Sequence, residues 1–263
     1  MKHLGEQLDI HCGGIDNAFP YHTNEIAQSE AYLGHKWCNW WVHVLHLNTT
    51  SGKMSKSSGE FLTLSLLESK GYDPLAYRYF CLQSHYRKNL VFSYENLDNA
   101  AGAYKKLVAK VALLLRERTK TGEKTVDTEA FLEMRKKFTD ALDNDVNTSL
   151  AVTAVFDALK YKANAATRIA AVRSFDEVLQ LGLIDAAKAL IADEDEKAAA
   201  AAAAEAAPVF SDDPAIRAIE EKIAARAAAK KAKNYAEADR IRAELLAEGI
   251  TLVDTAQGTT WHK

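Results

Sequence analysis

The chain has 263 residues, room for two or three small domains that each bury a core, and a formal net charge of −3 from 33 Lys and Arg against 36 Asp and Glu. That balance excludes a polycation binding nucleic acid through bulk charge; such a partner would have to meet local basic patches. No apolar run approaches the ~18 residues of a membrane span, and the start Met-Lys-His-Leu-Gly-Glu has no apolar signal core. Cys12, Cys38 and Cys81 are widely spaced without a C-x-x-C, the pattern of a reduced, cytoplasmic protein with buried or incidental thiols.

In chain order, Leu8-Asp9-Ile10 reads as a short strand ending at Gly13-Gly14. Pro20 suits the first position of a helix that runs to about Tyr32 and stops at Gly34. Val42 to Leu47, entered through Trp40 and Trp41, reads as a second strand. Strand, glycine turn, helix and strand is the rhythm of an α/β nucleotide-binding sheet, of which two strands are only a part. Gly52-Lys-Met-Ser-Lys-Ser-Ser-Gly59 follows, a glycine-flanked loop with two lysines and three hydroxyls. Such a composition fits a solvated surface loop, and it also fits a loop that closes over a polyphosphate, its lysines neutralising charge as pyrophosphate leaves.

Residues 62–95 read as short helical segments: Thr63 caps Leu64–Lys70, Gly71 stops it, and Asp73-Pro74 opens the next. Residues 95–120 form a long helix with Leu97, Ala101, Tyr104, Leu107 and Val111 on one face, and lysines and arginines from Lys105 to Lys120 on the rest. Further helices span Thr128–Leu142, Ser149 to about Asn164 behind a Thr148 cap, and roughly Phe175–Ile191; short connections make them an antiparallel bundle. Residues 193–210 are acidic, then alanine-rich, helix-favouring in propensity but without a large apolar face, and read as a linker. In residues 211–263, Asp213-Pro214 opens a helix and Asn234 with Glu237 opens another lined by Tyr235, Ala238, Ile241 and Leu245. Gly249 ends it before the short strand Ile250–Val253. The fold class expected is mainly α: a partial α/β Rossmann-like nucleotide-binding segment (1–62), a connecting region (63–95), an antiparallel helical bundle (96–192), the linker (193–210) and a small α+β C-terminal module (211–263).

Several motifs stand together in one order: Asp9-Ile-His-Cys-Gly-Gly-Ile-Asp16, Phe19-Pro-Tyr-His-Thr-Asn-Glu25-Ile-Ala-Gln-Ser-Glu30, Lys53-Met-Ser-Lys-Ser57, Asp73-Pro-Leu-Ala-Tyr-Arg-Tyr-Phe80 and Gln257-Gly-Thr-Thr-Trp261. Lys53 to Ser57 resembles the K-M-S-K-S signature of class I aminoacyl-tRNA synthetases, and the set resembles the C-terminal part of the cysteinyl-tRNA synthetases. The resemblance covers nearly all of the chain except the alanine-rich stretch, and it makes residues 63–95 the stem-contact region and residues 211–263 the anticodon-binding module. It implies a ligase that activates cysteine with ATP and Mg and transfers it to tRNA-Cys in the cytoplasm. A non-catalytic tRNA-binding paralogue, or one subunit of a split enzyme whose N-terminal half is a separate chain, stays open. The family's H-x-G-H motif and zinc-ligating cysteines do not occur in these residues, so the chain is expected to begin in the middle of the catalytic domain.

The resemblance makes Lys56 the catalytic lysine, with Lys53 second and Ser55 and Ser57 beside them. It places an adenylate site at His11, Gly13, Gly14, Asp16 and Trp41. Where the family has a glycine this chain has Cys12. The family binds zinc through a histidine and a glutamate at i and i+4 together with upstream cysteines. Here those two positions hold Tyr21 and Glu25, which leaves Glu25 as the single matched ligand, with His22 one residue over, about 100° around a regular helix. In the last module Arg217, Lys230, Lys231, Arg240 and Arg242 are candidate phosphate contacts, Trp261 and Tyr235 stacking surfaces, and Asp239 and Asp254 acceptors for base amino groups.

Overall fold

The computed structural model describes residues 2–49, 52–53, 63–205, 211–255 and 258–263. They form two compact units, Met1–Glu194 and Asp195–Lys263.

In the first unit β1 (Leu8–Gly14) runs parallel to β2 (Cys38–Val44), with His11 opposite Trp41 and Gly13 opposite His43. The crossover between them is a tight turn Ile15–Asn17, a wider turn Ala18–His22 with a cis Phe19–Pro20 peptide, and helix α1 (Thr23–Leu33). Gly34 ends α1 at φ 74°, a left-handed value that glycine adopts without a Cβ penalty. Pro20 does not open this helix: Phe19 is extended (φ −142°, ψ 133°), and regular α geometry starts only at Thr23. The second strand begins earlier than its apolar run suggests and breaks after Val44. Leu47 belongs instead to β3 (Leu47–Thr49), which pairs antiparallel with β4 (Gly52–Lys53) and parallel with β5 (Leu90–Phe92). Residues 90–92 were expected to be helical. Three residues carry no readable period, and their strand conformation comes from the ladder with β3.

Helices α2 (Leu64–Ser69) and α3 (Pro74–Leu82) start where Thr63 and Asp73 accept the backbone N–H of Leu66 and Leu75. The 28-residue α4 (Tyr94–Thr121) buries Leu97, Tyr104, Leu107 and Val111 and ends at Gly122. It packs with α5 (Thr128–Asp143), α6 (Thr148–Lys160), α7 (Ala165–Leu179) and the first turns of α8 (Leu183–Glu205) around one core that includes Phe138, Val155, Phe175 and Leu183. Phe138 and Phe175 stack with ring centres 4.3 Å apart and planes nearly parallel.

Several boundaries in this bundle differ from the sequence expectation. Asn147, not Thr148, caps α6, its side chain accepting from Leu150 N. That helix stops at Lys160, and Asn164 caps a new one by accepting from Thr167 N. The stretch Phe175–Ile191 is two helices, because Gln180 (φ 53°) and Gly182 (φ 63°) turn the chain while the Asp176 carboxylate accepts from Leu181 N and Leu183 N. Residues 193–205, expected as linker, continue α8 as helix. Alanine has the highest helix propensity, and a helix already nucleated by buried Leu183, Ile184 and Ala187 propagates through it.

In the second unit α9 (Pro214–Lys231) and α10 (Tyr235–Ala247) are capped by Asp213 and Asn234. A hairpin of β6 (Thr251–Thr255) and β7 (Gly258–His262) follows, where the sequence suggested one strand and a tail. Ile241, Leu245, Ile250 and Leu252 form its core, with Ile219, Ile223 and Trp261 packed against it. Tyr235, expected on the apolar face of α10, is 63% exposed.

Candidate functional site

The parallel register of β1 and β2 sets the imidazole of His11 beside the indole of Trp41, ring centres 4.9 Å apart and nearly perpendicular. Trp37, at the entrance to β2, lies 5.6 Å from the same imidazole. The wide turn at residues 18–22 then drops His22 into this aromatic corner, 4.7 Å from His11, 4.9 Å from Trp41 and 5.0 Å from His43. His22 is buried, and its Nδ1 stands 2.8 Å from His43 Nε2, one ring nitrogen donating to the other. Burial lowers the pKa of His22, reinforced by the facing His11 and His43 and opposed by the carboxylate of Glu25, so the charged form is disfavoured.

Gly13 makes this arrangement possible. A Cβ there would lie 2.8 Å from His22 Cε1 and 2.9 Å from Asn17 Nδ2. A Cβ on Gly14 would lie 2.5 Å from Asp16 Oδ1. The space above both glycines, read in the sequence as room for a nucleotide, is approached here by the chain's own His22 and Asp16. Asp16 also sits 3.4 Å from His46 Nε2.

In the first turn of α1, Glu25 directs Oε2 to within 2.9 Å of His11 Nε2. That oxygen is buried and accepts no hydrogen bond, so the two atoms meet at hydrogen-bond distance without hydrogen-bond alignment. The ligand-type atoms of His11, His22 and Glu25 all lie within 4.8 Å of one another. Tyr21, which occupies the position paired with Glu25 by the i, i+4 count, is 62% exposed. The count failed because residues 18–22 are not regular helix. Residues 22 and 25 are three apart, a spacing that also shares a helix face, and this was the signal available in the sequence for His22. Nothing in the sequence marked His43.

Lys56, Ser55 and Ser57 lie outside the described residues. Lys53 ends β4, opposite Asn48 in its ladder.

In the second unit the basic residues divide into two kinds. Arg217 pairs with Glu221, Arg240 with Glu237 and Glu244, and Lys230 with Asp254 at 2.8 Å. Lys231 and Arg242 are exposed and have no acidic partner among the described residues, and Asp239 is exposed as well. Asp254, read in the sequence as a base acceptor, is instead taken up by Arg226, Lys230 and Thr259. Arg226 is buried, and its two bonds to Asp254 cross-link α9 to β6. The guanidinium, then Lys230 and Thr259, hold the Asp254 carboxyl far below the usual carboxylate range. Trp261, on β7 opposite Leu252, is half-buried against the core of this unit.

Residues 1–102 match the family described as tRNA synthetases class I (C) catalytic domain. The chain is 36% identical over 270 residues to the cysteine–tRNA ligase of Brachyspira hyodysenteriae, 38% over 268 to that of Symbiobacterium thermophilum and 40% over 267 to that of Aromatoleum aromaticum. Each alignment takes in 99–100% of this chain but 52–54% of the relative, so the chain spans about half the length of the curated relatives it matches. Among solved structures, a LeuRS–tRNA–LeuAMS complex of Agrobacterium radiobacter superposes with a TM-score of 0.52. That match has 16% identity and covers 70% of this chain and 26% of that one, a likeness of fold. No helix among the described residues is long and apolar enough to cross a membrane.

Proposed function

The chain is related over its whole length to the C-terminal part of cysteinyl-tRNA synthetases, and from that premise we propose that it serves as that part of a cysteine–tRNA ligase. The observation that carries the reading is identity of 34–40% sustained across the entire chain, with the K-M-S-K-S word intact. In this reading ATP with Mg activates cysteine, and the acyl group passes to tRNA-Cys in the cytoplasm. Lys56 stabilises the charge that develops as pyrophosphate leaves, with Lys53, Ser55 and Ser57 orienting the phosphates. Gly13, Gly14, Asp16 and Trp41 back the adenylate. Residues 211–263 meet the anticodon arm.

Zinc is implied by the family, and the residues present fit it: two imidazoles and a carboxylate converge, and one carboxylate oxygen is buried without a hydrogen bond. His11, His22 and Glu25 would hold the ion; when bound it supplies a Lewis acid for a thiolate.

Cysteine-dependent ATP–pyrophosphate exchange tests the proposal. These residues contain no H-x-G-H motif, so exchange by the 263 residues alone is expected at background. It is expected to appear when a cysteinyl N-terminal half is supplied, joined or as a separate chain. Lys56→Ala in the completed enzyme should then cost about a hundredfold or more, the usual value of one transition-state contact. A loss under about tenfold would remove Lys56 from its role.

A further inference from the structure

We infer that Asp145, in the link between α5 and α6, is a positioning residue: its carboxylate anchors residues 84–88 to the bundle and through them sets the place of β3 and β4, the strand pair that ends at Lys53. Its bearing on catalysis rests on the ligase reading of Lys53. The chain leaves β2 at Val44, and the next amide, Leu45 N–H, donates to the Tyr86 carbonyl at 3.0 Å. Two residues further on β3 begins, and it pairs with β5, which comes soon after residues 84–88. Residues 84–92 therefore hold β3 both at its entry and along its length.

Asp145 is the point at which this segment is fixed. Its carboxylate accepts from Tyr86 OH at 2.6 Å and from Arg87 Nε at 3.0 Å, and His85 Nε2 lies 3.8 Å away. Tyr86 is flanked in turn by His85, stacked with ring centres 4.9 Å apart, and by the Arg87 guanidinium, 5.5 Å from its ring centre. An exposed ion pair alone contributes little, but a phenol donating to an ionised carboxylate at this length is a strong bond. Close packing does not replace it. A cavity of about 440 Å³, lined by Val42, Leu45, Leu47, Leu82, Leu90 and Val146 among others, adjoins His85 and Tyr86, so polar bonds fix the segment. The backbone agrees. Asp145 and Val146 stand at φ 57° and 53°, two left-handed residues in succession without a glycine. The end of α5, where Val146 N–H reaches the Leu142 carbonyl and Asn147 N–H the Ala141 carbonyl, calls for one left-handed residue, usually glycine. It does not call for the second, and Asp145 is the one whose side chain meets Tyr86 and Arg87.

Amide hydrogen exchange on the full chain tests the anchor without ATP, tRNA or a second chain. Asp145→Gly removes the carboxylate and suits φ 57°, and Tyr86→Phe removes the hydroxyl alone. Each should speed hydrogen exchange over residues 45–49 by about tenfold or more, while core amides of α4 and α6 stay as in the wild type. The double variant should be no faster than Asp145→Gly, because both changes remove the same bond. Asp145→Asn, which keeps an acceptor for the hydroxyl, should fall between Asp145→Gly and the wild type. If Asp145→Gly does not fold, Tyr86→Phe carries the test. In the completed ligase, Asp145→Gly or Tyr86→Phe should lower kcat for ATP–pyrophosphate exchange by about tenfold to a hundredfold, with KM for cysteine within about twofold. The inference is overturned if residues 45–49 exchange hydrogen as in the wild type, or speed only in step with the bundle core. It is equally overturned if they speed while kcat holds. A completed wild type without pyrophosphate exchange would sink the ligase reading instead, and hydrogen exchange alone would then decide the anchor.

Discussion

Arg226 and Asp254 show how much of a small module can hang on one pair of side chains. Arg226 is 3% exposed, and both its terminal nitrogens donate to Asp254, at 2.8 and 2.9 Å. A buried guanidinium that loses its carboxylate is left as an uncompensated charge. The Asp254 side chain is 44% exposed, which discounts the pair, so Asp254→Asn should cost about 1–3 kcal/mol at neutral pH. The pH sign follows from the depressed carboxyl. A folded value below the unfolded one, near 3.9, means the contribution is fully present above about pH 4 and is lost as pH falls through and below it. Urea unfolding followed at the Trp261 indole N–H should therefore show an acid-labile limb in the wild type that Asp254→Asn flattens. At the other end of the chain, Gly13→Ala should drive a methyl against the His22 ring, which His11, Trp41 and His43 hold from behind. The expected cost is about 1–3 kcal/mol of stability, with loss of the His22–His43 contact read as a shift of the imidazole resonances. An unchanged His22 environment would show that this corner yields more easily than its packing suggests.

At the scale of elements, the sequence was most legible where a polar cap stands before an apolar stripe. Thr63, Asp73, Asp213 and Asn234 all accept the backbone N–H groups their positions foretold. Caps were misread where two candidates adjoin, as at Asn147 and Thr148, and where a cap was counted as the tail of the preceding helix, as at Asn164. β5 and β7 were not legible because their partners, β3 and β6, are what make them strands. The corner around His22 was half legible: His11 and Glu25 were named from motifs, but the turn that delivers His22 follows no helical period. The α7–α8 turn carries its own prediction. Gly182 has φ 63°, and a Cβ there would meet Leu75 Cδ1 at 3.2 Å, so Gly182→Ala should destabilise by about 1–2 kcal/mol in thermal unfolding. Asp176→Asn should do the same by weakening the caps at Leu181 and Leu183. No effect of either variant would mean that core packing alone holds the turn.

For the whole molecule, a net charge of −3 means that the proposed tRNA binding would depend on where the cations are placed and what already holds them. In the second unit, pairing splits the basic residues that the sequence treated alike. Lys230 neutralises Asp254, and Arg240 is enclosed by Glu237 and Glu244; moving either onto a phosphate gives up an existing contact. Lys231 and Arg242 carry no such cost among the described residues, and Tyr235 offers an exposed ring for stacking. Trp261, on β7 and half-buried, packs against the core of the unit, which leaves only its open edge for the proposed stacking. Binding of tRNA-Cys by the full chain should therefore fall more on Lys231→Ala or Arg242→Ala than on Lys230→Ala, each of the first two lowering the salt slope by about one. Tyr235→Ala should reduce discrimination between the cognate and an altered anticodon while leaving the salt slope unchanged. Filter binding across a range of salt with both RNAs separates these outcomes. If Lys230→Ala weakened binding as much as Lys231→Ala with the module still folded, existing ion pairs would not be deciding which cations reach the RNA. If the two anticodons bound equally at every salt, the unit would be a non-specific basic surface.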